Sequence, residues 1–243
     1  MTSKILKFQG INFIDSNYNY LIDFLIKKKG YLVAPAASSL AQINNNIIYR
    51  KSLQQSTVAI FDSGFFCLCL IMIKFSKFHK FSGYKFLKFF LNDENLKKKK
   101  ILSLDPSEID MKLNKYYIKS KKFKLLRNYI CPIYNKKKIV DINLLNLINK
   151  YKPDFVIINI AGEVQEPLAL YIKNNSSCRS VSICTGAAIS FFTGSQAKIT
   201  DFVDNLYLGW FIRILHNPKY LIRILKSAKL IMIVFFSKIK VLT

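Results

Sequence analysis

The chain has 243 residues, 51% of them hydrophobic, and carries a formal charge of +24 with only 14 acidic side chains. That length suffices for one large α/β domain or two small ones around a sizeable core. Five cysteines (Cys67, Cys69, Cys131, Cys178 and Cys184) without a CxxC pair, and only two histidines, argue against a disulfide framework or a zinc site and suit a reducing cytosolic setting.

The N-terminus, MTSKILKFQG, lacks the apolar run and cleavage site of a secretory leader. YLVAPA (31–36) reads as a strand ending in a Pro-containing turn. SSLAQINNNIIYRKSLQQS (38–56) reads as one helix with Ser38 or Ser39 as its N-cap. TVAIFDSG (57–64) is a β-rich run closed by a turn. FFCLCLIMI (65–73) follows as a buried helix, too short for the ~20 residues a bilayer span takes. Residues 92–138 are Lys- and Asn-rich and hold the weakest strand–helix pattern, apart from a strand at KKKKILSLD. The runs Lys97 to Lys100, Lys121-Lys122 and Lys136 to Lys138 read as solvated loop faces. INLLNLINKY (142–151) has helical spacing, and DFVIINI (154–160) and SVSIC (180–184) are strands. Near-continuous apolar strands alternating with helices predict a mostly parallel sheet covered on both faces, in an α/β layered domain. Ligands of such sheets bind beyond the carboxyl ends of the strands, so the turns there are the candidate sites.

Three turns qualify. Asp62-Ser63-Gly64 places a carboxylate at a strand end, where it serves either as a general base or as a helix cap. Gln165-Glu166 follows the Gly162 turn, with Pro167 at a helix start; Gln offers both donors and an acceptor to a sugar or base edge. Thr185-Gly186-Ala187-Ala188 opens a helix with small residues, which suits either an anion at the backbone N–H groups or close helix–sheet packing. No GxGxxG, P-loop, HExxH or GxSxG pattern is present. Towards the C-terminus, Asn217-Pro218 reads as a helix start. Leu221, Ile224, Leu225, Ala228 and Met232 would share one face, opposite Lys219, Arg223, Lys226 and Lys229. No acidic residue follows Asp204. A basic amphipathic helix of this kind suits an anionic membrane surface, or its arginines clamp a diphosphate.

With these residues in place, the chain resembles the WecG/TagA/CpsF glycosyltransferases, glycosyltransferase family 26. The likeness is clearest over 152–229: PDFVIINIAGEVQE, then CTGAAISFFTG, then Trp210 to Arg213, Pro218 and Arg223. Asp62 and SGYKFL (82–87) add to it upstream. The resemblance implies a Rossmann-like core over residues 1–204 and a C-terminal appendage over 205–243 that closes the active site and reaches the membrane. It also implies inverting transfer of an N-acetylmannosamine-type sugar from a UDP-sugar donor to a polyprenyl-diphosphate-linked amino sugar in cell-surface polysaccharide biosynthesis. Neither a metal nor a cofactor is expected. The enzyme would be cytoplasmic and peripheral on the inner face of the membrane, with self-association left open.

Carried over by position, Asp62 is the base. Ser38, Gly64, Lys80, Gly162, Gln165, Glu166, Thr185 and Gly186 line the substrate site. Arg213 and Arg223 neutralise the diphosphate leaving group. The chain departs from the family pattern at Ala34-Pro35-Ala36-Ala37-Ser38, where Thr and Asn are usual, at Leu104-Asp105-Pro106-Ser107, where Gly-Gly is usual, and at Lys80, where Arg is common. Two other readings stay open: a basic nucleic-acid-binding protein, which the charge invites but no binding signature supports, and a homologue that binds without catalysing.

Overall fold

The computed structural model describes residues 3–136, 138–194 and 225–242. Nine strands form one sheet: β1 (Lys4–Phe8), β2 (Ile11–Asp15), β3 (Tyr31–Val33), β4 (Val58–Ala59), β5 (Ile101–Asp105), β6 (Leu126–Ile130), β7 (Phe155–Ile158), β8 (Val181–Cys184) and β9 (Ile239–Leu242). Their order is β6-β5-β7-β8-β3-β4-β2-β1-β9. The seven strands from β6 to β2 are parallel, and β1 runs antiparallel to both β2 and β9. The α/β layered fold with a mostly parallel sheet is as the sequence suggested.

Ten helices are described: α1 (Tyr18–Lys28), α2 (Ala37–Leu40), α3 (Ile47–Gln54), α4 (Gly64–Lys74), α5 (Gly83–Asn92), α6 (Glu108–Ser120), α7 (Ile142–Tyr151), α8 (Gln165–Asn175), α9 (Ser190–Thr193) and α10 (Lys229–Phe236). They cover both faces of the sheet. Alternate residues of β7 show the division: Val156 and Ile158 join a core with α2, α3, α4, α7, α8 and α10. Phe155 and Ile157 join a second core with α1, α5 and α6. Period-two alternation on a strand sends neighbours to opposite faces, which is why this strand must be apolar throughout. The aromatics are core: Phe8 lies 5.0 Å from Phe66, and Phe61 stacks on Phe78 at 4.8 Å.

Several local expectations are corrected. The single helix over 38–56 is two, because Asn44-Asn45-Asn46 breaks it and Asn46 caps α3 by accepting the Tyr49 N–H at 3.0 Å. The N-cap of α2 is Ala36, with no side-chain cap, rather than Ser38 or Ser39. Pro167 is the third residue of α8, not its first. The polar middle holds a full β5–α6–β6 unit, with Ser107 capping α6 ahead of Glu108 and Asp110. Within the first Lys run, Lys97 is not simply solvated: its Nζ lies 4.5 Å from the Phe123 ring centre. The helix 65–73 is only half-buried, since Leu68 and Met72 face solvent. Among the described residues no helix is long and apolar enough to cross a membrane.

Candidate active site

The predicted turns converge at the carboxyl ends of the central strands. Ile60 N–H donates to Val33 O at 3.0 Å, prolonging the β3–β4 pairing, and Phe61 is anchored in the aromatic core, so Asp62 emerges where the ladder stops. It does not cap the next helix. Ser63 does that, accepting the Phe66 N–H at 3.2 Å. One Asp62 oxygen, Oδ1, instead accepts the N–H of Gly83, first residue of α5, at 2.7 Å. The α4–α5 loop is folded back to allow this. His79 N–H donates to Asp15 Oδ2 at 3.2 Å, Phe78 stacks on Phe61, and Phe81 N–H donates to Phe61 O at 3.1 Å. Lys80 is thereby carried to the same end of the sheet as Asp62. Both act on the buried Cys67 thiol, which burial pushes up to about 12, with Lys80 pulling it down and Asp62 adding to the rise.

Gly83 is the joint of the site. A Cβ at position 83 would stand 3.1 Å from Ala34 Cβ and 3.2 Å from Thr185 Cβ, closer than ordinary contact, so a larger residue would push the start of α5 away from the ends of β3 and β8 by a few tenths of an ångström. The Thr185 hydroxyl, in the middle of this junction, is buried and finds no hydrogen-bond partner among the described residues. A buried hydroxyl without a partner suits a polar ligand atom arriving from the cleft. Of the two serines after β3, Ser39 is buried and its Oγ lies 3.5 Å from the place a Gly162 Cβ would take. Ser38 is half-buried beside it.

Gln165 and Glu166 open α8 and are both buried. Gln165 Oε1 accepts the Gly186 N–H at 2.8 Å, and its Nε2 donates to Glu166 Oε1 at 3.0 Å. Glu166 Oε2 accepts the Glu163 N–H at 2.8 Å. Gly186 sits at φ +60°, the left-handed region in which this bond is made. The Gly186 N–H is therefore committed to Gln165 rather than open to an anion, and Gln165 and Glu166 lock the β7 turn to the β8 turn. Burial raises the Glu166 carboxyl to about 7 against the pull of its donors.

One cluster escaped the sequence reading. Asp105, fully buried at the end of β5, accepts from Ser103 Oγ at 3.0 Å, Asn114 Nδ2 at 2.7 Å, Asn159 Nδ2 at 2.9 Å and Asn128 Nδ2 at 3.2 Å. Asn159 Oδ1, at the end of β7, is buried without a partner among the described residues. The available signal was a carboxylate closing the apolar strand Ile101–Asp105. Beside this cluster, the end of β6 and the start of α7 border an open cleft of about 690 Å³ lined by Cys131, Pro132 and Asp141.

The site therefore gathers Asp62, Gly64, Lys80, Ser39, Gly162, Gln165, Glu166, Thr185 and Gly186 at one end of one sheet. Arg213 and Arg223, the expected diphosphate clamp, lie outside the described residues, as do Trp210 and Pro218. No curated protein matches the chain. The model of the Glycosyl transferase WecG/TagA/CpsF family, however, matches residues 6–242, nearly its whole length. A match over nearly the whole length shows the family: the chain belongs to the WecG/TagA/CpsF family and is a glycosyltransferase.

Proposed function

We propose that the protein transfers an N-acetylmannosamine-type sugar, with inversion, from a UDP-sugar to a polyprenyl-diphosphate-linked amino sugar, and so serves cell-surface polysaccharide biosynthesis. The observation that carries the reading is the Asp62 carboxylate, held through one oxygen by the Gly83 N–H at the end of β4 and flanked by the β3 and β8 turns. In an inverting transfer the acceptor hydroxyl attacks the anomeric carbon from the face opposite the UDP. Its proton leaves to a base, for which Asp62 is the candidate. The C1–O bond to the β-phosphate breaks with its electron pair on oxygen, and fixed cations there stabilise the departing charge. Lys80, Arg213 and Arg223 are the cations proposed for that work.

Thr185, Ser38 and Ser39 are proposed to hold polar groups of the substrates. Gln165, Glu166 and Gly186 act by fixing the two turns against each other. The basic C-terminal segment, 205–243, is proposed to close over the site and to hold the enzyme against the anionic inner face of the cell membrane, where the acceptor resides.

Incubation with UDP-sugars and a lipid-diphosphate acceptor tests the reaction directly. Asp62→Asn keeps the acceptor oxygen for Gly83 and should retain the fold while losing about 10²–10⁴-fold in turnover, as expected on removing a general base. Unchanged turnover removes Asp62 from that role. UDP binding without turnover in the unaltered protein identifies a homologue that binds without catalysing, a reading that the Ala34-Pro35-Ala36-Ala37 turn would then explain.

A further inference from the structure

We propose that the core helix α4 and the C-terminal helix α10 together form a single docking face for an anionic lipid bilayer, with α4 supplying side chains that insert. The two helices pack against each other, and Lys74 Nζ donates to Phe235 O at 2.9 Å. Leu230 and Val234 of α10 are spent on the core with Leu70 of α4. What remains outward is apolar: Phe75 is 92% exposed, Met72 75%, Phe236 73%, Phe235 60% and Met232 58%. Phe75 is held out at the C-cap of α4 in the left-handed region, at φ 51°, which bulky side chains rarely adopt. Scattered apolar residues are ordinary on a surface, but large ones gathered on two adjoining helices mark an interaction site.

The charge around this face selects the occupant. Lys74 and Lys77 stand on the α4 side, and Lys226, Lys229, Lys238 and Lys240 on the α10 side. Neither 64–92 nor 225–242 contains an aspartate or glutamate. An apolar patch on two segments whose charged side chains are all cations complements anionic headgroups over acyl chains, whereas a second copy of the same face would meet it with like charge. The face also lies beside the candidate site, because α10 touches α2, whose Ser39 adjoins Gly162. Docking here would bring the cleft to the surface in which a lipid-linked acceptor resides. That purpose, and the share of α10 in the docking, rest on the function proposed above; the part taken by α4 does not.

Co-sedimentation with vesicles of phosphatidylglycerol in phosphatidylcholine, against phosphatidylcholine alone, tests it without any sugar donor. The unaltered protein should pellet with the anionic vesicles. Met72→Glu with Phe75→Glu, both at exposed positions, should cut that binding at least tenfold with the thermal melt unchanged. Tyr116→Glu, an exposed aromatic on α6, should leave it intact. Binding by the α4 double variant equal to that of the unaltered protein overturns the proposal, as does failure of the unaltered protein to pellet. A dimer in sedimentation equilibrium that the α4 variant dissociates, without vesicle binding, would assign the face to self-association instead. Because transfer to a water-soluble acceptor is measured separately, loss of docking and loss of the glycosyltransfer reading are distinguishable.

Discussion

At the scale of single residues, the site is built from groups whose freedom has been removed. Asp62 is held by the N-terminus of α5, and glycine at position 83 lets that terminus sit close against Ala34 and Thr185. Glu166 illustrates what such fixing costs. Its carboxyl sits at about 7 in the fold against an ordinary 4.5, because burial outweighs the donors from Gln165 and Glu163. Below pH 4.5 the folded and unfolded chains both hold the proton, and this group contributes no pH dependence. Between 4.5 and 7 only the folded chain holds it, so stability falls as pH rises through that window and levels off above it. At 1.36 kcal/mol per pKa unit the whole effect is about 3 kcal/mol. Glu166→Gln cannot ionise and should lose the slope. Its stability relative to the unaltered protein, from urea unfolding at pH 5 and pH 8, should improve by about that amount between the two. A difference that does not change with pH would mean that Glu166 is ionised throughout.

At the scale of elements, the polar cluster under the β5–β7 ends ties four pieces together: Ser103 on β5, Asn114 on α6, Asn128 on β6 and Asn159 after β7, all donating to Asp105. Asp105→Ala would strand these buried donors and should cost about 3 kcal/mol or more in chemical unfolding. Asp105→Asn keeps one acceptor oxygen and should cost less; equal losses would show that the hub is not what binds the elements. This cluster also marks where sequence reading stops. The strands over 31–36, 57–64, 154–160 and 180–184 were legible because burial on both faces keeps them predominantly apolar, and with them the turns bearing Asp62, Gln165 and Thr185. The strand β6 was not, because its half-exposed residues blend into a Lys- and Asn-rich background. The partners of Asp105 are up to 54 residues away, and periodicity reports only which face a residue shares with its near neighbours. The same limit hid the meeting of Ala34, Gly83 and Thr185, and the commitment of Gly186 N–H to Gln165.

At the scale of the whole molecule, the chain ends where it began. β9 pairs antiparallel with β1, matching Leu6 to Val241 and Phe8 to Ile239, and α10 lies on α4. A division between a core of 1–204 and an appendage of 205–243 is thus proposed for function, while the last described residues share the sheet and the core of the first. Leu230 and Val234 are fully buried, and burying a side chain of this kind is worth about 1.5–3 kcal/mol, so their loss alone removes roughly 3–6 kcal/mol. Exposing the β1 edge and the face of α4 under α10 adds to that, since an unpaired strand edge beside apolar surface invites association. Deleting 225–243 should therefore lower the thermal midpoint by several degrees and promote aggregation, rather than simply releasing a soluble catalytic core. Differential scanning calorimetry with light scattering checks this. A truncated chain that melts like the full one and stays monomeric would show that α10 and β9 are a dispensable cover, and that the sheet is complete at β1.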